Sequence, residues 1–110
     1  MSGFRTGLRG EGRAALYLRL HGMRILERRF RVPHGEIDLI ARDGDCTVFV
    51  EVKTRPRGEA GDGLAAVNAE KRRRLRYAAN AYLAVHPAVQ VRFDVIEITA
   101  VGLRHIKNAF

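Results

Sequence analysis

The chain has little of what small secreted or membrane-bound proteins rely on. It has one cysteine, Cys46, and no tryptophan. A single thiol forms no internal disulfide and supports no zinc cluster, which sets aside the disulfide-stapled scaffolds and the zinc fingers. No apolar run approaches the roughly 18 residues that a membrane-crossing helix needs. The segment from Met1 to Gly12 carries arginine but no apolar stretch like that of a secretory leader, and Glu11 stands where that stretch would be. The expectation is a cytoplasmic protein without a membrane partner. The histidines, His21, His34, His86 and His105, follow no metal-ligand or triad spacing, and only His34 is placed near an acidic segment. Acids are in deficit as well, 12 against 20 bases, and the net charge of +8 points to a polyanionic partner. With 110 residues, 46% of them hydrophobic, the chain fits one domain (1–110) with a single core.

The charge is unevenly spread. Residues 36–51 hold Glu36, Asp38, Asp43, Asp45 and Glu51 against Arg42 alone. The flanking stretches, 1–34 and 53–77, are strongly basic. A nucleic-acid binder needs only the bases. A nuclease needs both, because the basic flanks hold phosphates while local acidity recruits the cation that promotes attack on one of them.

The acidic stretch, GEIDLIARDGDCTVFVEVKTR from Gly35 to Arg55, alternates with period two, so successive side chains point to opposite faces of a sheet. Ile37, Leu39 and Ala41 are expected on one face with Val48, Val50 and Val52. Glu36, Asp38 and Ile40 then share the other face with Thr47, Phe49, Glu51 and Lys53. Asp43-Gly44 is a strong hairpin signal and is taken as the central pair of the turn. That register sets Arg42 opposite Asp45, Asp38 opposite Phe49 and Glu36 opposite Glu51. Three carboxylates so crowded repel: at about 5 Å and an effective dielectric of about 20, one pair costs on the order of 3 kcal/mol. A surface ion pair to Lys53, worth roughly 0–1 kcal/mol, does not offset that, whereas a divalent cation does. Hard oxygen ligands suit Mg²⁺ or Mn²⁺. An acid two residues before a lysine is commonplace in a chain that is 29% charged, so the fragment acquires meaning only with the hairpin and the Asp38 spacing.

Around this hairpin the pattern predicts a helix from about Gly10 to His21, with Glu11, Ala14, Ala15 and Leu18 on one face. Glu11 on an apolar stripe is costly without a partner. It is either a further ligand reaching the hairpin or the partner of an arginine. A strand over residues 24–32 precedes Pro33. The glycine-rich stretch from Pro56 to Gly63 reads as a loop, either an ordinary connection or a cover over bound nucleic acid. A helix from about Ala69 to Val85 follows, capped by Asn68, with Lys71, Leu75, Ala78 and Tyr82 along one stripe. Strands over 90–98 and from Leu103 to Lys107 complete an αβββαββ order in the α/β class, a mixed sheet flanked by helices.

The motifs GEGRAALYL (Gly10 to Leu18), GEIDLIARDGD (Gly35 to Asp45), VFVEVKTR (Val48 to Arg55), the lysine-led helix from Lys71, and RFDVIEI (Arg92 to Ile98) resemble the YraN family of bacterial proteins. That family is related to Holliday-junction resolvases and to the PD-(D/E)xK restriction-endonuclease-like superfamily. The resemblance covers nearly the whole chain. It implies a restriction-endonuclease-like core with Asp38 and Glu51 as metal ligands, Lys53 orienting or activating water, and Glu11 as a resolvase-like helical carboxylate. Asp38 follows Ile37, where the superfamily's naming motif has proline. The resulting expectation is a Mg²⁺- or Mn²⁺-dependent nuclease acting on DNA rather than RNA, on branched or otherwise structured DNA in particular. Glu11, Asp38, Glu51 and the Val52 carbonyl would hold the ion, and Arg55, Arg57, Lys71 and Arg72 would contact phosphates. A resolvase-like activity would favour a homodimer. Two other readings stay open: a nucleic-acid-binding module of the same fold that does not cut, and an assembly factor whose basic surface meets an acidic protein.

Overall fold

The alternating central segment forms the middle of a five-stranded mixed sheet in the computed structural model. The structure describes residues 2–55 and 68–110, with side chains from residue 10 onward. Helix α1 (Ser2–Leu20) leads into β1 (Arg24–Val32), β2 (Gly35–Asp43) and β3 (Cys46–Arg55). Helix α2 (Ala69–Val85), β4 (Gln90–Thr99) and β5 (Gly102–Ile106) follow. The strands lie in chain order across the sheet, antiparallel except for the parallel β3–β4 pair. A parallel pair needs a crossover, and α2 sits within that connection. This is the predicted α/β class and the predicted αβββαββ order.

The two helices cover opposite faces. Ala14, Ala15 and Leu18 of α1 pack on Leu39, Ala41, Val48 and Val50, joined by Ile96 and Ile98. Leu75, Ala78, Ala79 and Tyr82 of α2 pack on Ile40, Phe49 and Val95. The α2 stripe and the Asn68 cap are as the sequence predicts, with the Asn68 side chain accepting from the Lys71 N–H at 2.9 Å. Helix α1 starts earlier than predicted: Gly3, Gly7 and Gly10 each lower helix propensity by about 1 kcal/mol, yet the backbone is helical through all of them.

The hairpin register differs from the prediction by two residues. Asp43 pairs with Cys46 and Arg42 with Thr47, so the turn's central pair is Gly44-Asp45, with Gly44 at φ 61°. Glycine at the first central position alone is the type II′ pattern, and it displaces the Asp43-Gly44 reading. Arg42 therefore does not face Asp45, Asp38 does not face Phe49, and Glu36 does not face Glu51. A shift of two does not by itself turn a side chain to the other face.

One side chain does change face. Ile37 packs with Ile40 and Phe49 under α2 rather than with Leu39 and Ala41. Residues three apart share a face only where alternation breaks, and it breaks at Asp38. The β2–β3 ladder ends at Leu39–Val50, and the β1–β2 ladder runs Arg28–Leu39 and then Phe30–Ile37. Opposite Asp38, Arg29 has φ 55°, a left-handed conformation that costs a non-glycine residue about 1–3 kcal/mol. Both strands are thus kinked at one rung.

Candidate active site

The kink opens a cleft of about 280 Å³ lined by Glu11, Glu36, Asp38, Glu51, Val52, Lys53, Lys71, Arg74 and Leu75. Helix α1 brings Glu11 to it by touching the end of β3: a Cβ on Gly10 would overlap Thr54 Oγ1. Strand β2 brings Glu36 and Asp38 by running against α2, where a Cβ on Gly35 would lie 2.7 Å from the Arg74 carbonyl oxygen. Strand β3 supplies Glu51 and Lys53, and the first turn of α2 supplies Lys71.

Where the β2–β3 ladder stops, the Val52 N–H donates to Asp38 Oδ2 at 2.8 Å. Burial, with the Glu51 carboxylate close by, pushes the Asp38 carboxyl up to about 8 despite that hydrogen bond. The Glu51 side chain is only 6% exposed and meets Lys71 Nζ at 2.8 Å. Burial pulls the Lys71 ammonium down, but the hydrogen bond to Glu51 and the charges of Glu51, Asp38 and Glu36 outweigh it, leaving the value raised. Glu11 is buried, and burial raises its carboxyl even though Arg29, Arg28 and Arg31 pull the other way. Its Oε1 has no hydrogen-bond partner among the described residues and lies 3.9 Å from Arg29 Nε. Glu11 thus lines the cleft and also faces an arginine.

Of the predicted site residues, the cleft unites Glu11, Asp38, Glu51, Val52, Lys53 and Lys71. Glu36 sits at its rim, half exposed, with Arg31 Nε 3.8 Å away. Arg55 follows on β3, its Nε buried without a hydrogen-bond partner among the described residues. Arg72 is directed elsewhere, with its guanidinium over the Phe110 ring at 5.3 Å. Arg57 and the predicted glycine-rich loop lie outside the described residues. His34 lies outside the lining, its ring 6.4 Å from that of Tyr77. Sequence reasoning did not single out Arg74 or Arg29. Arg74 could have been found, because it stands three residues after Lys71 and therefore on the same helix face.

Among the described residues, no three acidic, histidine or cysteine side chains converge as a ready-made metal site. The donors nonetheless suit a hard divalent cation. They are carboxylate oxygens, two of the acids are held above their ordinary range by burial, and Glu11 Oε1 is a buried acceptor that no donor among the described residues satisfies. No helix of the described residues is long and apolar enough to cross a membrane.

An α/β sheet bearing carboxylates and a lysine where two strands part, with a helical glutamate above, is compatible with a restriction-endonuclease-like fold. The model of the family described as "Uncharacterised protein family UPF0102" matches residues 10–98, and the chain belongs to that family, which is the YraN family of the sequence resemblance. It is 47% identical to a UPF0102 protein of Dechloromonas aromatica, over 94% of this chain and 87% of the relative. A UPF0102 protein of Geobacter metallireducens is also 47% identical, over 94% and 90%. One from a Bradyrhizobium species is 46% identical, over 100% and 82%.

Proposed function

We propose that the protein is a metal-dependent nuclease-like hydrolase acting on DNA, including branched or structured DNA. The observation that carries this reading is the cleft itself, where Glu11, Asp38, Glu51 and Lys53 meet between basic walls. Glu11, Asp38, Glu51 and the Val52 carbonyl would hold Mg²⁺ or Mn²⁺. When bound, such an ion supplies Lewis acidity toward the scissile phosphate and lowers the pKa of its water. Lys53, on the strand beside Glu51, steadies the attacking water or the charge that develops on the phosphate. Lys71 and Arg74 on one wall, with Arg55 beyond Lys53, hold neighbouring phosphates, and Arg72 is a further phosphate contact, as is Arg57 on the sequence reading alone.

A second reading, a module that binds nucleic acid without cutting, draws on the ion pair between Glu51 and Lys71, which satisfies that acid from within the protein. A Mn²⁺ titration against branched, single-stranded and duplex oligonucleotides separates the two. Metal-dependent cleavage supports the nuclease. Metal-independent binding with no cleavage of any substrate supports the module. Absence of binding to DNA and RNA at low salt rejects both in favour of an acidic protein partner.

A further inference from the structure

Lys71 reaches into the acidic cluster. Its Nζ is 2.8 Å from Glu51 Oε2, its own side chain is 41% exposed, and that of Glu51 is 6% exposed. The carboxylate is fixed in the floor of the cleft while the ammonium stands at the rim, on a flexible four-carbon stem that is readily rehydrated. Arg74, three residues on, lines the same wall. A divalent ion on Glu51 would repel the ammonium at this distance and weaken the ion pair. We infer that Lys71 is an exchangeable counter-cation: it holds Glu51 in the cleft until a divalent cation binds, and is then released beside Arg74 to take a backbone phosphate of the nucleic acid.

This inference rests on the metal-binding reading of the site and adds a role to it. It accounts for two features together. Among the described residues the acids form no ready-made three-ligand site, and one of them is already neutralised by a group of the protein. The helix carrying that group is also the wall against which a phosphate would lie. Lys71 is thus a positioning residue in one state and a phosphate ligand in the other.

Calorimetric titration of Mn²⁺ into the full chain, the Lys71→Met variant and the Lys71→Arg variant tests this without reference to activity. With the competing ammonium removed, Lys71→Met binds Mn²⁺ about ten- to a hundredfold more tightly, while Lys71→Arg, which keeps the charge, stays close to the parent. Equal or weaker binding by Lys71→Met overturns the exchange but leaves the metal site standing. No uptake by any of the three overturns the metal reading and the exchange with it. Should Lys71→Met fail to fold, the unaltered chain decides. Acylation read by mass spectrometry should rise at Lys71 relative to Lys107 when Mn²⁺ is added, and an unchanged ratio overturns the exchange.

Discussion

The Asp38 carboxylate accepts the Val52 main-chain N–H at 2.8 Å, so a side chain of β2 occupies the position its backbone would take if the β2–β3 ladder continued. One interaction therefore does two things. It satisfies an N–H that the kink leaves without a strand partner, and it holds the carboxylate between the strands beside Glu51.

Asp38→Asn and Asp38→Ala separate those two tasks. Asn keeps an oxygen acceptor for Val52 and loses the charge, so cleavage is lost while stability is retained. Ala loses both, and the orphaned N–H costs about 1–3 kcal/mol, offset in part by removal of a desolvated acid. Urea denaturation alongside a cleavage assay checks this. Cleavage by either variant at the parent rate would reject Asp38 as a ligand.

Lys53 is partly exposed and shares a rung with the buried Glu97 of β4. Lys53→Met keeps the stem and removes the ammonium. The expected result is a fall in cleavage of about 10²–10³ with Mn²⁺ binding intact. A variant that cleaves normally would show that the lysine takes no part in the chemistry.

Most of the fold was legible because its signals are local and periodic: alternation in β2 and β3, the stripe of α2, the Asn68 cap. Glu11, Asp38, Glu51 and Lys53 still line one cleft despite the misread register, because an error of two residues moves partners along a face without itself turning a side chain to the other one. Ile37 was misassigned for a non-local reason. Nothing in β2 itself announces that Asp38 will bond to Val52 across the sheet, or that Arg29 on the far strand will take a left-handed conformation. The arginines of α2 could not be ranked by charge alone. Arg74 lines the cleft because of its phase relative to Lys71, and Arg72 is drawn to Phe110 at the other end of the sequence.

Gly35 is where β2 passes closest to α2. A Cβ there would meet the Arg74 carbonyl oxygen at 2.7 Å and Ala78 Cβ at 3.1 Å, backbone and core that cannot both yield. Gly35→Val should destabilise by about 1–3 kcal/mol and displace the helix that carries Lys71 and Arg74. Chemical denaturation measures the first effect. A variant as stable as the parent would mean that α2 is not seated as described.

Arg74→Ala and Arg72→Ala provide a matched pair on one helix. Removal of a phosphate contact weakens DNA binding at every sequence and lowers the slope of log K against log salt by about 1. Arg74→Ala is expected to do this fully. Arg72→Ala should weaken binding less, since part of its interaction is with the Phe110 ring. Salt-dependent anisotropy titrations read both, and a larger effect from Arg72 would move the nucleic-acid path away from the cleft.

Asp94 anchors the opposite part of the sheet, and its contribution to stability should depend on pH. It is fully buried and takes two hydrogen bonds from Arg92, one from the Asn108 N–H and one from His105, whose Nε2 is 2.7 Å away. With Nε2 donating to Asp94, His105 Nδ1 is free to accept from the Tyr17 hydroxyl at 3.2 Å, and Arg92 reaches on to Asp43. Helix α1, β2, β4 and β5 are tied through one carboxylate. Burial alone would raise Asp94, but the hydrogen bonds from His105, Arg92 and Asn108 outweigh it and hold the carboxyl below its ordinary 3.8. A group depressed on folding stabilises the folded state above its unfolded value, and that contribution is lost as the pH falls toward the folded one. Asp94→Asn turns an amide donor against Arg92 or His105 and should cost about 3–5 kcal/mol at neutral pH. Below pH 4 the parent's advantage over the variant should shrink, because the parent carboxylate is then approaching protonation. Urea titrations of both proteins at neutral and acid pH measure that difference, and a gap independent of pH would mean that the contribution of Asp94 is packing rather than charge.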